Sequence, residues 1–412
     1  MSSGRIADAP QSRAESPYAW ARLVAALMLS TLGGVGMWSV VVVLPTVQAE
    51  FAVARGAASL PYTLTMVGFG LGGVLMGRLS DRFGVIVPVI VGTIALGVGM
   101  VAAGAAGSMW LYAIAQGLLI GVGSSATFAP LVADVSFWFT RRRGIAVAIC
   151  ASGNYLAGAI WPPVVQHFIE SDGWRATYIG IGIFCVVAML PLALMLRRPV
   201  PIADIAAGAA AGTARSPLAL GLSPAALQTL LIIAGAACCV AMSMPQVHIV
   251  ALCSDLGYGA ARGAEMLSLM LGFGIVSRLV SGAIADRIGG VRTLLLGSTL
   301  QGVALLLFLG SEGLVSLYVV SALFGLFQGG IVPSYALIIR EFFSPREAGA
   351  RIGTVIMATL FGMALGGWMS GAIFDLTGSY DAAFVNGIVW NLLNLSIATW
   401  LLLRSTRRYA PA

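Results

Sequence analysis

The sequence contains no lysine: its 23 basic residues are all arginine, set against 16 Asp and Glu and only two histidines in 412 residues. Charged residues make up 9% of the chain and hydrophobic ones 59%, whereas soluble domains carry about 25% charged residues. So small a polar complement excludes a water-soluble globular fold. His167 and His248 lie far apart, and Cys150, Cys185, Cys238, Cys239 and Cys253 fall in or beside apolar runs without metal-ligand spacing. No metal site, cofactor or disulfide is therefore expected, and the HExxH or Ser-His-Asp constellation of a membrane-embedded enzyme is missing. The net charge of +7 lies between apolar runs rather than on a soluble basic face, which argues against nucleic acid as a partner. A receptor built on a membrane body would add a soluble domain, and the tails are short.

What the chain has instead is glycine, 52 residues against a usual ~7%, and apolar runs long enough to cross a bilayer. A hydrocarbon core of about 30 Å needs roughly 20 residues of helix. Twelve spans are predicted near 22–46, 57–79, 85–107, 111–136, 144–167, 176–197, 226–252, 264–286, 291–310, 314–339, 352–374 and 382–403. Residues 1–19 are polar and the first run is long enough to span, which reads as an uncleaved signal anchor. The expected division is a tail at 1–19, a six-helix bundle at 20–198, a linker rich in Ala, Gly and Pro at 199–225, a second bundle at 226–404 and a tail at 405–412. The surrounding partner is the lipid bilayer.

Arginine sets the orientation, because positive loops stay in the cytoplasm. With both termini cytoplasmic, only Arg55, Arg175 and Arg262 face the other side, Arg278 lies inside the eighth span, and every other arginine is cytoplasmic. A multi-pass protein of a bacterial inner membrane, working as a monomer, is the expectation. Single cysteines at Ala209 and Gly107 in a cysteine-free background should react with impermeant maleimide from opposite faces; reaction of both from the outside would overturn this topology.

Residues 77–84 read GRLSDRFG and residues 282–289 read GAIADRIG, both fitting G-x-x-x-D-R-x-G between neighbouring spans. A second echo, FWFTRRRGIAVAI from Phe137 and EFFSPREAGARIG from Glu341, keeps the same offset to within one residue. Two matches in register imply a duplicated six-helix unit. Asp81, Arg82, Asp286 and Arg287 are the expected gating residues, with Gly77 and Gly84 allowing close helix approach and a tight turn. A carboxylate at Asp81 can meet a helix N-terminus or an arginine of the opposite half and latch that side shut. Asp134, near the Arg141 to Arg143 run, is a further expected gate.

These features resemble the major facilitator superfamily over essentially the whole length. Within it the chain is similar to the monocarboxylate transporter family and bacterial oxalate-formate exchangers. The residues concerned are Trp138-Phe139-Thr140-Arg141-Arg142-Arg143-Gly144-Ile145-Ala146 running on to Ala151-Ser152-Gly153, then His248-Ile249-Val250, Asp255-Leu256-Gly257 and Arg278. The resemblance implies twelve helices in two pseudo-symmetric halves, an all-α membrane fold, and alternating access to a site at the midplane.

Arg278 is the leading candidate for that site. It stands about ten ångströms inside its helix, where burying a charge costs about 2.5 to 3.5 kcal/mol. A guanidinium fork fits a carboxylate, so a small organic anion is the expected substrate. The resemblance implies the same role for Arg278, and that the anion is a monocarboxylate. Two departures leave proton symport and anion exchange both open: animal members carry an Asp where this chain has Gly274, and a Lys in the first helix where it has none. The second buried cation that exchangers use in span eleven is also missing. Spans one, four, seven and ten usually line the cavity in this superfamily, which adds Trp38, Ser124, Thr127, Phe128, His248, Gln328 and Tyr335, and span five adds Asn154 and Tyr155. The alternative is an exporter of drug-like or amphiphilic solutes, for which a lone Arg suits cations poorly.

Overall fold

In hydrocarbon every backbone N–H and C=O must pair within the chain, so apolar runs of this length fold as helices. The computed structural model describes residues 15–139, 142–198 and 221–407. Among them are twelve helices long and apolar enough to cross a membrane: α1 Pro17–Glu50, α2 Arg55–Phe83, α3 Ile86–Gly104, α4 Met109–Trp138, α5 Arg143–Asp172, α6 Trp174–Leu194, α7 Pro224–Asp255, α8 Ala260–Ile288, α9 Gly290–Leu309, α10 Leu314–Phe342, α11 Glu347–Thr377 and α12 Asp381–Arg404. All twelve expected spans are present, and most helices overhang them by a few residues where polar turns add a cap. The helices arrange as two sets of six, meeting through α2 with α11, α5 with α8, and α1 with α7. Arg141, Ala209 and most of the linker lie outside the described residues.

The duplication also shows in the helix breaks. Helix α4 is interrupted by a π-helical stretch, Ala115–Gly121, and a turn at 126–128, while α10 breaks at Gly329 and Gly330. Interrupted helices at matching places in two repeats mark the region where a transporter binds its solute. Both copies of the loop motif end on a glycine with positive φ, Gly84 at 78° and Gly289 at 83°, which an L side chain adopts only with strain.

The α2–α11 pair sets which side is open. Near one end a Cβ on Gly371 would lie 2.8 Å from Ser59 Oγ and 2.9 Å from Arg55 O, so the backbones touch. At Gly70 a Cβ would meet Leu360 at 3.5 Å, and at Gly73 and Gly77 it would meet nothing within 4 Å. The halves therefore diverge toward the loop motifs. The close approach expected at Gly77 is not made in this state, where a Cβ there would meet nothing within 4 Å.

Candidate functional site

Between the halves lies a cavity of about 410 Å³, walled by α1, α2, α4, α5, α7, α8, α10 and α11. Arg278 is in its wall, with Trp38, Phe128, Asn154 and Tyr155. Among the described residues no Asp, Glu or His lines it, and Arg278 is the one cationic residue among those that do.

Helices α5 and α8 run antiparallel and place Arg278 through small residues. Ser268 donates to the Ala159 carbonyl, Gly274 receives the Tyr155 ring, and Arg278 Nη1 donates to the Ala151 carbonyl at 3.1 Å. A Cβ on Gly274 would sit 2.3 Å from Tyr155 Cε1, so any side chain there displaces the ring. Gly274 thus makes room for an aromatic face, which lies 4.4 Å from the guanidinium carbon. Cation–π contact of this kind is worth about 0.5 to 2 kcal/mol and does not neutralise the charge. Arg278 Nε is buried without a partner, and among the described residues no carboxylate forms an ion pair with Arg278. The α10 break packs directly behind it: a Cβ on Gly329 would be 3.0 Å from Arg278 N.

Trp38 Nε1 donates to the Asn154 carbonyl at 3.2 Å, tying α1 to α5. Phe128, at the α4 turn, meets Phe69 with ring centres 6.2 Å apart. Gln328 accepts from Gln246 Nε2 at 2.8 Å. That pairing leaves Gln246 Oε1 and Gln328 Nε2 buried and unpartnered, and it is Gln246 that lines the cavity.

Besides Gln328, four expected cavity residues lie outside its lining. Ser124 is buried under Gly36 and packs α4 on α1. Thr127 donates to the Ser124 carbonyl at 2.8 Å and packs on Gly33. Tyr335 donates to Asn394 at 2.8 Å in a polar knot that joins α10, α12 and, through Ser298, α9. Hydroxyls on these helices serve packing because the wetted face of each helix is narrower than the polar positions along it.

The fourth, His248, belongs to a clamp on the closed side. Its Nε2 lies 2.8 Å from the Gly367 carbonyl, which only accepts, so Nε2 carries the proton and Nδ1 accepts from Tyr380 Oη at 3.2 Å. Tyr380 in turn accepts from Arg55 Nη1 at 2.6 Å. Burial holds the Tyr380 phenol above its ordinary value, so it remains a donor. Arg55 also pairs with Asp255 at 3.0 Å and stacks on Phe374 at 4.8 Å. Asp375 of α11 accepts from Arg55 N at 2.8 Å and Gly56 N at 2.7 Å, capping the start of α2 across the two halves. The role of Asp375 and Tyr380 carries no local sequence signal; Arg55 carries one, as an arginine at a helix start on the arginine-poor side.

Asp134 is paired with Arg22 rather than with Arg142 or Arg143 among the described residues. Arg22 grips it with two bonds of 2.7 Å, Nε to Oδ2 and Nη2 to Oδ1, while Arg22 Nη1 donates to the Leu196 carbonyl at 3.0 Å. Both partners belong to the first bundle, so the pair staples α1, α4 and α6 together rather than bridging the halves. Asp81, Arg82, Asp286 and Arg287 are exposed at the open end, and Asp81 and Asp286 have no ion-pair partner among the described residues. A latch on this side would engage only when the halves close there. Asp81→Asn should then weaken the motif-closed state by about 1 to 3 kcal/mol, roughly five-fold to 150-fold in the ratio of states. Unchanged turnover and unchanged reactivity of a cysteine at Gly73 would show that Asp81 is a solvated loop residue.

The family model for the Major Facilitator Superfamily matches residues 26–309 and 266–411. The chain is 29% identical over 346 residues to monocarboxylate transporter 13 of Rattus norvegicus, covering 82% of this chain and 77% of that protein. It is 31% identical over 316 residues to the Bos taurus protein of the same name, covering 74% and 71%. Among solved structures, a bacterial homologue of the human lysosomal transporter Spinster, inward-facing and occupied, superposes with a TM-score of 0.71 at 14% identity, over 96% of this chain and all of that one.

Proposed function

The chain belongs to the Major Facilitator Superfamily, and from that premise we propose that it carries a small organic anion, a monocarboxylate, with Arg278 as the counter-charge. It is a multi-pass membrane transporter and not an enzyme. The observation that carries the proposal is the cavity wall itself, whose described residues include one guanidinium, with its buried Nε unpartnered, and no acidic or histidine side chain. Relatives named monocarboxylate transporters support the same class. The motif side is read as cytoplasmic, from the arginine bias, and the membrane as a bacterial inner membrane. The state described is then open to the cytoplasm.

The missing acid bears on coupling. Among the described residues no acidic or histidine side chain lines the cavity, so on this reading the empty carrier reorients around an unpaired cation, whereas the loaded one is neutral at that point. Exchange of one anion for another should therefore outpace net uptake. Labelled mono- and dicarboxylates offered to proteoliposomes, with and without a pH gradient, test this. Saturable uptake of monocarboxylates, stimulated by internal carboxylate more than by a gradient, is expected; uptake confined to cationic or neutral solutes would contradict the anion reading. The exporter reading survives only for anionic amphiphiles, which the apolar parts of the wall would accept.

A further inference from the structure

The geometry points to a bulky solute class for this cavity: a carboxylate bearing one charge and an aryl or branched apolar body, rather than a small hydroxy acid or a dicarboxylate. The inference rests on the Arg278 reading above and adds to it what the rest of the wall selects.

Nη1 of Arg278 is taken by the Ala151 carbonyl and one guanidinium face by the Tyr155 ring. The edge left is Nε with Nη2, which fits one carboxylate in a two-bond fork. A second carboxylate would find no cation. Two hydroxyls in the wall are spent, Ser125 donating to the Val122 carbonyl at 2.7 Å and Thr359 to the Ile356 carbonyl at 2.7 Å, which leaves the Tyr155 hydroxyl and the Asn154 and Gln246 amides as its neutral polar groups. Around them stand Met37, Met242, Met357 and Met363 with Phe69 and Phe128. Thioethers are polarisable, adapt their shape and pack on ring edges. A small hydrophilic acid would leave these groups against water or trapped solvent, while an aryl or branched tail covers them. Space permits it, since the cavity holds about 410 Å³ and an apolar cavity of about 150 Å³ already takes benzene.

The test is competition against labelled phenylacetate binding to the purified full-length carrier, using acetate, butyrate, hexanoate, malonate, phenylmalonate and phenylacetamide. Each buried methylene should tighten binding about four-fold, so hexanoate and phenylacetate should outcompete acetate by more than about 50-fold. Phenylmalonate should fall at least about ten-fold behind phenylacetate, and phenylacetamide should not compete. Met242→Gln and, independently, Met357→Gln should weaken phenylacetate and hexanoate by a larger factor than acetate. A flat series, or malonate binding best, overturns the bulky-tail inference; with Arg278→Ala still abolishing binding, the carboxylate reading stands. If phenylacetamide competes as well as phenylacetate and Arg278→Ala changes nothing, the carboxylate reading fails with it.

Discussion

Replacing Arg55 with Met should open the side of the carrier that the described state holds shut. Arg55 is the hub of that side: its guanidinium reaches Asp255 and Tyr380, and its backbone N–H is capped by Asp375, all from the second bundle. The methionine keeps the apolar stem but deletes the charge, leaving Asp255 unpaired. Hydrogen bonds to charged groups contribute about 1.5 to 3 kcal/mol each, so the ratio of states should move by at least ten-fold. A cysteine at Thr63, whose native hydroxyl donates to the Ala364 carbonyl at 3.0 Å across the halves, should become more reactive from the clamp side. A cysteine at Gly73 should become less reactive from the motif side. Asp375→Asn keeps the side chain's shape and weakens the helix cap, so it should act in the same direction by a smaller factor. Unaltered reactivity at both positions would reduce the clamp to a packing feature.

The larger loss is expected at Arg278. Arg278→Ala removes the fork and leaves the substrate carboxylate desolvated without a partner. Breaking a buried pair in this way costs about 3 to 5 kcal/mol, which is at least ~100-fold in affinity. Arg278→Lys retains the charge but loses the planar two-bond geometry, and severe impairment is expected. Two neighbours grade the effect. Tyr155→Phe keeps the aromatic face and should be mild, whereas Tyr155→Leu removes it and should weaken binding by up to about ten-fold. Gly274→Asp is the more informative change. Its Cβ must push the Tyr155 ring aside, and its carboxylate would stand one turn from the guanidinium as an internal competitor for the substrate. Affinity should drop, and uptake should become stimulated by protons that neutralise the new acid. If Gly274→Asp leaves both affinity and pH dependence unaltered, the empty-cation argument for exchange is wrong.

The helices were legible because a span is a local property: about 20 apolar residues are enough to name it. Arg278 was legible for the same reason, as a lone charge inside such a run. Pairing was not local and was missed. Asp134 was read against the nearest basic residues in sequence, yet its partner is Arg22, in the first helix. Asp375 meets the start of α2, more than half the chain away, and no periodicity marks it. Trp38, Asn154, Tyr155 and Phe128 reach the cavity, whereas Ser124 and Thr127, on the same helix as Phe128, and Tyr335, on α10, are turned into packing seams. Choosing between those faces requires the neighbouring helix, which the sequence of one helix does not contain. Gly274 was visible as a missing acid; that it houses the Tyr155 ring became visible only with α5 and α8 side by side.

The most direct measurement compares uptake of a labelled monocarboxylate into empty and carboxylate-preloaded proteoliposomes for wild type and Arg278→Ala, with correct folding checked by gel filtration. Wild type should show saturable uptake that preloading accelerates, and the alanine variant should show none under either condition. Uptake by Arg278→Ala at the wild-type rate would remove Arg278 from the substrate site and contradict its role as the counter-charge.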